Sequence, residues 1–171
     1  FFPGSSIGNF EPAAAETFLR DLQQMLPAAS GLLIGVDLIK DEARLNAAYN
    51  DAAGLTAQFN LNLLERMRRE LGAELDPSQF RHRAFYHSGA TRIEMHVESL
   101  TRQSIRLGGQ SFEFAPGETL HTENSCKYSI QGFQSMAQRA GFQPQAVWTD
   151  TDQLFSVHYL SSGSPVSHRP V

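Results

Sequence analysis

The apolar positions of this chain follow two different periods, and the points where the period changes divide it into segments. From Pro12 onward, Ala15, Phe18, Leu19, Leu22, Met25 and Leu26 recur at helical spacing. Pro12 suits a first helical position, and Pro27 can only follow the helix end. Gly31-Leu32-Leu33-Ile34-Gly35-Val36 is a continuous apolar run that predicts a strand buried on both faces. Phe1-Phe2 predicts a further strand, ahead of a small-residue turn from Gly4 to Asn9. Asp41-Glu42 supplies the acids of a helix N-terminus. The helical pattern then runs through Leu45, Ala48, Tyr49 and Ala52, pauses at Gly54, and resumes at Leu55, Phe59, Leu63, Met67 and Leu71. Gly72 and Asp76-Pro77 close it. The first fifty residues therefore alternate strand, helix, strand, helix, as parallel α/β sheets do.

Between Phe80 and Glu123 the period drops to two: Ile93, Met95 and Val97 alternate with Glu94, His96 and Glu98, the signature of a half-buried antiparallel strand. Gly108-Gly109 marks a hairpin turn. Ser129 then caps a helix through Phe133, Met136, Ala137 and Ala140 that Gly141 ends. Strands at Gln145 to Thr149 and Leu154 to Leu160 follow, parted by Asp150-Thr151-Asp152. The expected organisation is a partial α/β core from residues 1–50 and 129–160, an α+β insertion at 51–128 and a flexible tail at 161–171.

Composition narrows the function classes. Fourteen Lys and Arg against eighteen Asp and Glu, a formal net charge of −4 over 171 residues, give no basic footprint for a nucleic-acid backbone. No apolar run has the length of a membrane span. The single cysteine, Cys126, excludes an intramolecular disulfide and a cysteine-based zinc cluster, and fits a reducing, cytoplasmic setting. The aromatic start without an initiator Met leads to the expectation of a piece cut from a longer protein.

Four places could carry chemistry. The Gly4-Ser5-Ser6-Ile7-Gly8-Asn9 segment lies where α/β sheets bind ligands, at the carboxyl end of a strand, although Asn9 would serve equally as a helix cap. It lacks the Lys of a phosphate loop and the three-glycine dinucleotide spacing. Asp37 ends a strand and reads as a cap or a partner for Lys40. Tyr49 lies on an apolar helical face, where a core tyrosine is the ordinary reading. The run from His121 to Tyr128 is the densest polar stretch. Its His121-x-Glu123 pattern is not a zinc deaminase, which needs a Cys-x-x-Cys. Nor does it pair Cys126 with His121 as nucleophile and base, since nothing lowers the thiol pKa. The six histidines show no metal spacing, so no metal site is expected, and His82, His87 and His96 are expected to face solvent.

Four ordered blocks, Phe1 to Phe10, Gly35 to Asp41, Ala48 to Thr56 and His121 to Tyr128, together resemble one family. The chain resembles the histidine-specific S-adenosylmethionine-dependent methyltransferases, the L-histidine Nα-methyltransferases of ergothioneine biosynthesis, over their C-terminal half. The resemblance implies a Rossmann-like class I methyltransferase core with an inserted α+β substrate-binding domain. It implies that Asn9 contacts the amino-acid moiety of L-histidine, Tyr49 holds its carboxylate, Glu123 and Ser125 grip the imidazole, and Met95 lines the same pocket. No residue of the chain is assigned as catalytic or cofactor-binding. The main S-adenosylmethionine site is expected in an upstream half, so this piece alone should be inactive, and a homodimer or swapped assembly should cover its open sheet flank. The alternatives are a methyltransferase of the same fold for another amino acid or amine, and a non-catalytic binding or assembly module.

Overall fold

Prolines bound the first helix as their chemistry requires. Pro12 occupies its opening turn, where the missing N–H is not needed, and the chain leaves the helix at Leu26, just before Pro27. The computed structural model describes residues 1–162. In chain order the elements are a 3₁₀ turn Ser6–Asn9, α1 Pro12–Met25, β1 Gly31–Asp37, α2 Glu42–Tyr49, α3 Leu55–Leu71, β2 Phe80–His87, β3 Arg92–Ser99, β4 Gln103–Leu107, β5 Gln110–Phe114, β6 Thr119–Cys126, α4 Ile130–Arg139, β7 Gln143–Thr149 and β8 Phe155–Ser161, besides two further short 3₁₀ turns. They form two compact units, one of residues 1–40 with the chain from 125 onward, the other of residues 41–124.

In the first unit β8 lies between β1 and β7 and runs antiparallel to both, so β1 and β7 are parallel to each other. The expected parallel sheet therefore carries one reversed strand. The cause is local: residues 150–154 make too short a link for a crossover, and a short link can join only antiparallel neighbours. Asp150 fixes that link by accepting the N–H groups of Leu154 at 2.7 Å and Phe155 at 2.9 Å. Phe1-Phe2 is not a full strand. Phe2 makes a single parallel bridge to Ile34, after which Pro3 has no N–H to offer and Gly4, at φ 72°, turns the chain away.

Below the sheet, Ile7, Leu19, Ile34, Phe133, Phe142 and Leu160 are fully buried in one cluster. Ser129 caps α4 as expected, its hydroxyl accepting the Gly132 N–H at 3.0 Å. Ser161 and Ser162 are ordered into the first unit rather than forming the start of a tail. Ser161 ends β8, and the buried Ser162 exchanges backbone and side-chain hydrogen bonds with Ser30. The rest of the expected tail lies outside the described residues.

The second unit packs α2 and α3 on a β2-β3-β6 sheet beside the β4–β5 hairpin. The two-residue period works as expected: Ile93 and Met95 cluster with Leu45 of α2, and Val97 with Leu64 of α3. Gly108 and Gly109 take φ of 58° and 80°, the left-handed pair that a tight hairpin needs. Residues 41–50 sort with this unit, not with the α/β core to which the sequence pattern assigned them. The reason is that α2 docks on β2: Asn46 Oδ1 accepts the Tyr86 N–H at 2.7 Å, and the Asn50 amide donates to the Ala84 carbonyl at 3.1 Å.

Candidate functional site

In the first unit, the turn before α1 is tied to the end of β1. Ser5 adopts a left-handed conformation, φ 58°, and its Oγ accepts the Asp37 N–H at 2.8 Å. Gly8 allows a close approach: a Cβ there would stand 2.8 Å from the Cys126 carbonyl oxygen. Asn9 ends this turn with an exposed side chain. It does not cap α1, whose cap position is Glu11.

A buried charge cluster sits at the same end of β1. The Asp37 carboxylate receives Lys40 Nζ on Oδ1 at 2.5 Å and Lys127 Nζ on Oδ2 at 2.7 Å. The Lys127 side chain has no solvent exposure, and the Asp37 carboxylate supplies the counter-charge that burial demands. Lys127 Nζ also donates to the Ser125 hydroxyl at 2.6 Å. The expected Asp37–Lys40 pair is thus present within a larger group that reaches Ser125. Tyr128 follows, with a hydroxyl buried without a partner among the described atoms, and burial pushes its pKa up.

In the second unit the polar centre is Asn60 of α3, which is 3% exposed. Its amide donates to His82 Nδ1 and to the His96 carbonyl, both at 2.9 Å, and its Oδ1 accepts the Thr122 hydroxyl at 2.7 Å. Because His82 Nδ1 accepts, His82 Nε2 carries the proton and donates to the Tyr49 carbonyl at 2.9 Å. That carbonyl belongs to the last turn of α2, where helix carbonyls lack internal partners. The network therefore fixes the helix end that carries Tyr49. The side chains of Tyr49 and Met95 share one apolar cluster with Leu45 and Ile93. Glu123 lines a cleft of about 170 Å³ with Asn60, Thr122, Asn62 and Arg66. Asp51 caps α3 from outside, accepting the Leu55 and Thr56 amides. Its hydrogen bonds to Thr56, through hydroxyl and amide, and to the Leu55 amide hold its carboxyl at about 2.

His82 and His96, expected to face solvent, are both half-buried and engaged. Phe85, His96 and His121 stack in a column across the sheet, with ring centroids 5.4 and 4.6 Å apart. Arg92 donates twice to Glu94 Oε1, at 2.7 and 2.9 Å, and His96 Nε2 meets Glu94 Oε2 at 3.2 Å. Burial opposes ionisation of Glu94, yet the bonds to Arg92 and His96 hold its pKa below the usual range. Burial depresses His96, and Glu94 only partly offsets this. Donor atoms of Glu94, His96 and His121 lie within 4.8 Å of one another. A metal, however, must lie in the plane of each imidazole it binds, at about 2.0–2.1 Å. Two stacked rings inclined by only 11° place their lone pairs in separate planes, so the column is a packing device as it stands.

With this geometry in view, the comparison with known proteins is decisive. Residues 1–162 match the family described as "Histidine-specific methyltransferase, SAM-dependent". The chain belongs to this family. Among curated relatives, the histidine N-alpha-methyltransferase of Mycolicibacterium smegmatis is 42% identical over 151 residues, covering 87% of this chain and 47% of that protein. Ergothioneine biosynthesis protein 1 of Neurospora crassa is 31% identical, covering 92% of this chain and 18% of its own length. Among solved structures, an S-adenosylmethionine-dependent methyltransferase from Clostridium acetobutylicum aligns over 95% of this chain and 56% of its own, with a TM-score of 0.48 and 7% identity. The chain spans about half the length of the mycobacterial relative it matches.

The family's description implies S-adenosylmethionine, and the turn before α1 does not have the form of a cofactor-cradling loop. A cofactor-cradling turn presents unspent backbone N–H groups at a helix N-terminus. Here Gly8 N–H is given to the Ser5 carbonyl and Phe10 N–H to the Ile7 carbonyl, and α1 opens on a proline. Motif reading named Asn9, Tyr49, Met95, Glu123 and Ser125 as candidates, of which Asn9 and Ser125 lie in the first unit and Tyr49, Met95 and Glu123 in the second; it did not point to the buried polar residues Lys127 and Asn60. Lys127 had a legible signal, a cation inside a block of small polar residues that follows a strand. Asn60 had none, since a polar residue on a helix reads as solvent-facing.

Proposed function

We propose that this chain carries the acceptor-binding part of an S-adenosylmethionine-dependent N-methyltransferase that methylates the α-amino group of L-histidine. The observation that carries the reading is Ser125, buried and held at 2.6 Å by a lysine itself anchored on Asp37. So constrained a hydroxyl, in the block that marks the family resemblance, suits recognition of a polar ring. Glu123 precedes it by two positions on β6 and, like any i, i+2 pair in a strand, shares its face. In this reading Glu123 accepts an imidazole N–H, Ser125 bonds the other ring nitrogen, Met95 packs on the ring, Tyr49 donates to the carboxylate and Asn9 orients the amine end. Catalysis then consists of aiming a neutral amine lone pair in line at the sulfonium methyl, which positioning can supply without a protein nucleophile. A cytoplasmic enzyme fits the same reading; among the described residues no helix is long and apolar enough to cross a membrane.

Calorimetric titration of the full-length protein with L-histidine tests this. Glu123→Gln replaces an acceptor-only group by an amide and should weaken histidine binding by roughly 10- to 100-fold, the range for an unmatched polar contact. S-Adenosylmethionine affinity should stay unchanged. A protein that binds the cofactor but not histidine would refute the assignment.

A further inference from the structure

A carboxamide offers two N–H donors and one accepting oxygen, and Asn60 uses all three inside its own unit. One N–H goes to His82 Nδ1 and the other to the His96 carbonyl, both at 2.9 Å, while Oδ1 meets the Thr122 hydroxyl at 2.7 Å. Each contact leads one step further. His82 Nε2 reaches the Tyr49 carbonyl at 2.9 Å, at the end of α2. The Thr122 hydroxyl also stands 2.9 Å from the Met95 carbonyl on β3, and Thr122 immediately precedes Glu123 on β6. His96 immediately follows Met95. One amide, 3% exposed, is therefore linked to the main chain at or beside Tyr49, Met95 and Glu123, three candidate site residues of the same unit. Apolar packing is non-directional and tolerates sliding, whereas a hydrogen bond weakens steeply once its angle changes. The buried network thus gives these elements a register that apolar side chains alone would not hold.

We propose that Asn60 and His82 are positioning residues for the acceptor amino acid: the Asn60 amide anchors two separate arms, one through His82 to Tyr49 and one through Thr122 to Met95 and Glu123. This rests on the histidine reading above. In that reading Tyr49 serves the carboxylate end of the ligand, while Met95 and Glu123 serve its ring. The arms therefore govern opposite ends of one small molecule, and each can be cut by itself. The polarity of the links explains the residue types that stand here. His82 must accept at Nδ1 and donate at Nε2, which only the neutral ring protonated at Nε2 does. Residue 60 must donate twice and accept once; an aspartate lacks the donors, and a leucine lacks donors and acceptor alike.

Histamine, which keeps the imidazole and the amine but lacks the carboxylate, separates the arms. The Kd values of L-histidine and histamine are measured by calorimetry on the full-length protein and its variants, at one pH and below each variant's unfolding temperature. His82→Asn keeps an acceptor towards Asn60 but is too short to reach the Tyr49 carbonyl. It should weaken L-histidine by about tenfold, the worth of one well-placed hydrogen bond, and leave histamine within about twofold. His82→Gln, long enough to accept from Asn60 and donate to Tyr49, should return L-histidine to within about threefold of wild type. Thr122→Val, nearly the same shape, cuts the other arm and should weaken both ligands by about tenfold, leaving their ratio unchanged. A general loosening of the fold would neither sort the ligands by arm nor be rescued by glutamine. The proposal is overturned if His82→Asn weakens both ligands equally or neither, or if His82→Gln behaves as His82→Asn does. Thr122→Val shifting the ratio, or leaving both affinities intact, overturns it as well, so the test stands even where a His82 variant does not fold. Absence of L-histidine binding in wild type would instead overturn the reading beneath it, and this inference with it.

Discussion

Asn60→Leu should destabilise the second unit by about 3–4 kcal/mol, although leucine keeps asparagine's branching and is apolar in a buried position. The loss comes from the groups left behind. His82 Nδ1 and the His96 carbonyl lose their donor, while Thr122 keeps only the Met95 carbonyl as acceptor. Each buried group without a partner costs roughly 1–3 kcal/mol, and burial of the leucine side chain returns part of that sum. Urea unfolding gives the total, and amide exchange along β2, β3 and β6 shows where it falls. A midpoint shift corresponding to less than about 1 kcal/mol would contradict this role of Asn60. The variant should also loosen the end of α2, because His82 would no longer be fixed as the tautomer that donates to the Tyr49 carbonyl.

Acid should weaken the first unit through one buried histidine. His158 has no solvent exposure, and its Nδ1 has no partner among the described atoms. The Ser156 hydroxyl gives its proton to the Val36 carbonyl at 3.2 Å, so His158 Nε2 is the donor in its 3.0 Å contact with Ser156 Oγ. Nδ1 is then a bare lone pair, and protonating it would create a buried N–H without an acceptor beside the Phe133 ring, 4.8 Å away. Burial accordingly lowers the pKa to about 4. In the unfolded chain it returns to about 6.5, so between these values the unfolded state binds the extra proton and stability falls as pH falls. Above the window the contribution is complete; below it the loss levels off at about 3 kcal/mol. Unfolding free energies at pH 7 and pH 4.5 should differ more for wild type than for His158→Gln. Equal differences in the two proteins would remove His158 from the account, since the remaining groups, His96 among them, are common to both.

Local rules carried far along this chain. Prolines bound α1, Ser129 caps α4, paired glycines turn the β4–β5 hairpin, and a two-residue period placed Ile93, Met95 and Val97 on the helix side of their sheet. What escaped the sequence depends on contacts between distant positions. Residues 41–50 carry a helical pattern that fits either unit, and only the Asn46 and Asn50 hydrogen bonds to β2 decide between them. The Phe1-Phe2 pair has strand composition, yet Pro3 and Gly4 stop the ladder after one bridge. Candidate residues that match a family motif could be named from the sequence. Their supports could not, because Lys127 acquires its role from Asp37, ninety positions earlier in the chain, and Asn60 from His82 and Thr122 on two strands.

The place of β8 has a consequence for how the first unit is assembled during synthesis. Gly31 and Gln143 both pair with Ser161, and among the described residues β1 and β7 meet no other ladder partner in that sheet beyond the Phe2 bridge. On the ribosome, β1 emerges well before β8 and must wait, with its backbone N–H and C=O groups unpaired on that edge, for a strand translated more than a hundred residues later. Joining ends so far apart is entropically slow, and an unpaired apolar strand is a template for wrong partners. The nascent chain is therefore most exposed to aggregation just before residues 155–161 appear, and chaperone capture or a translational pause in that interval would shape the yield of native protein.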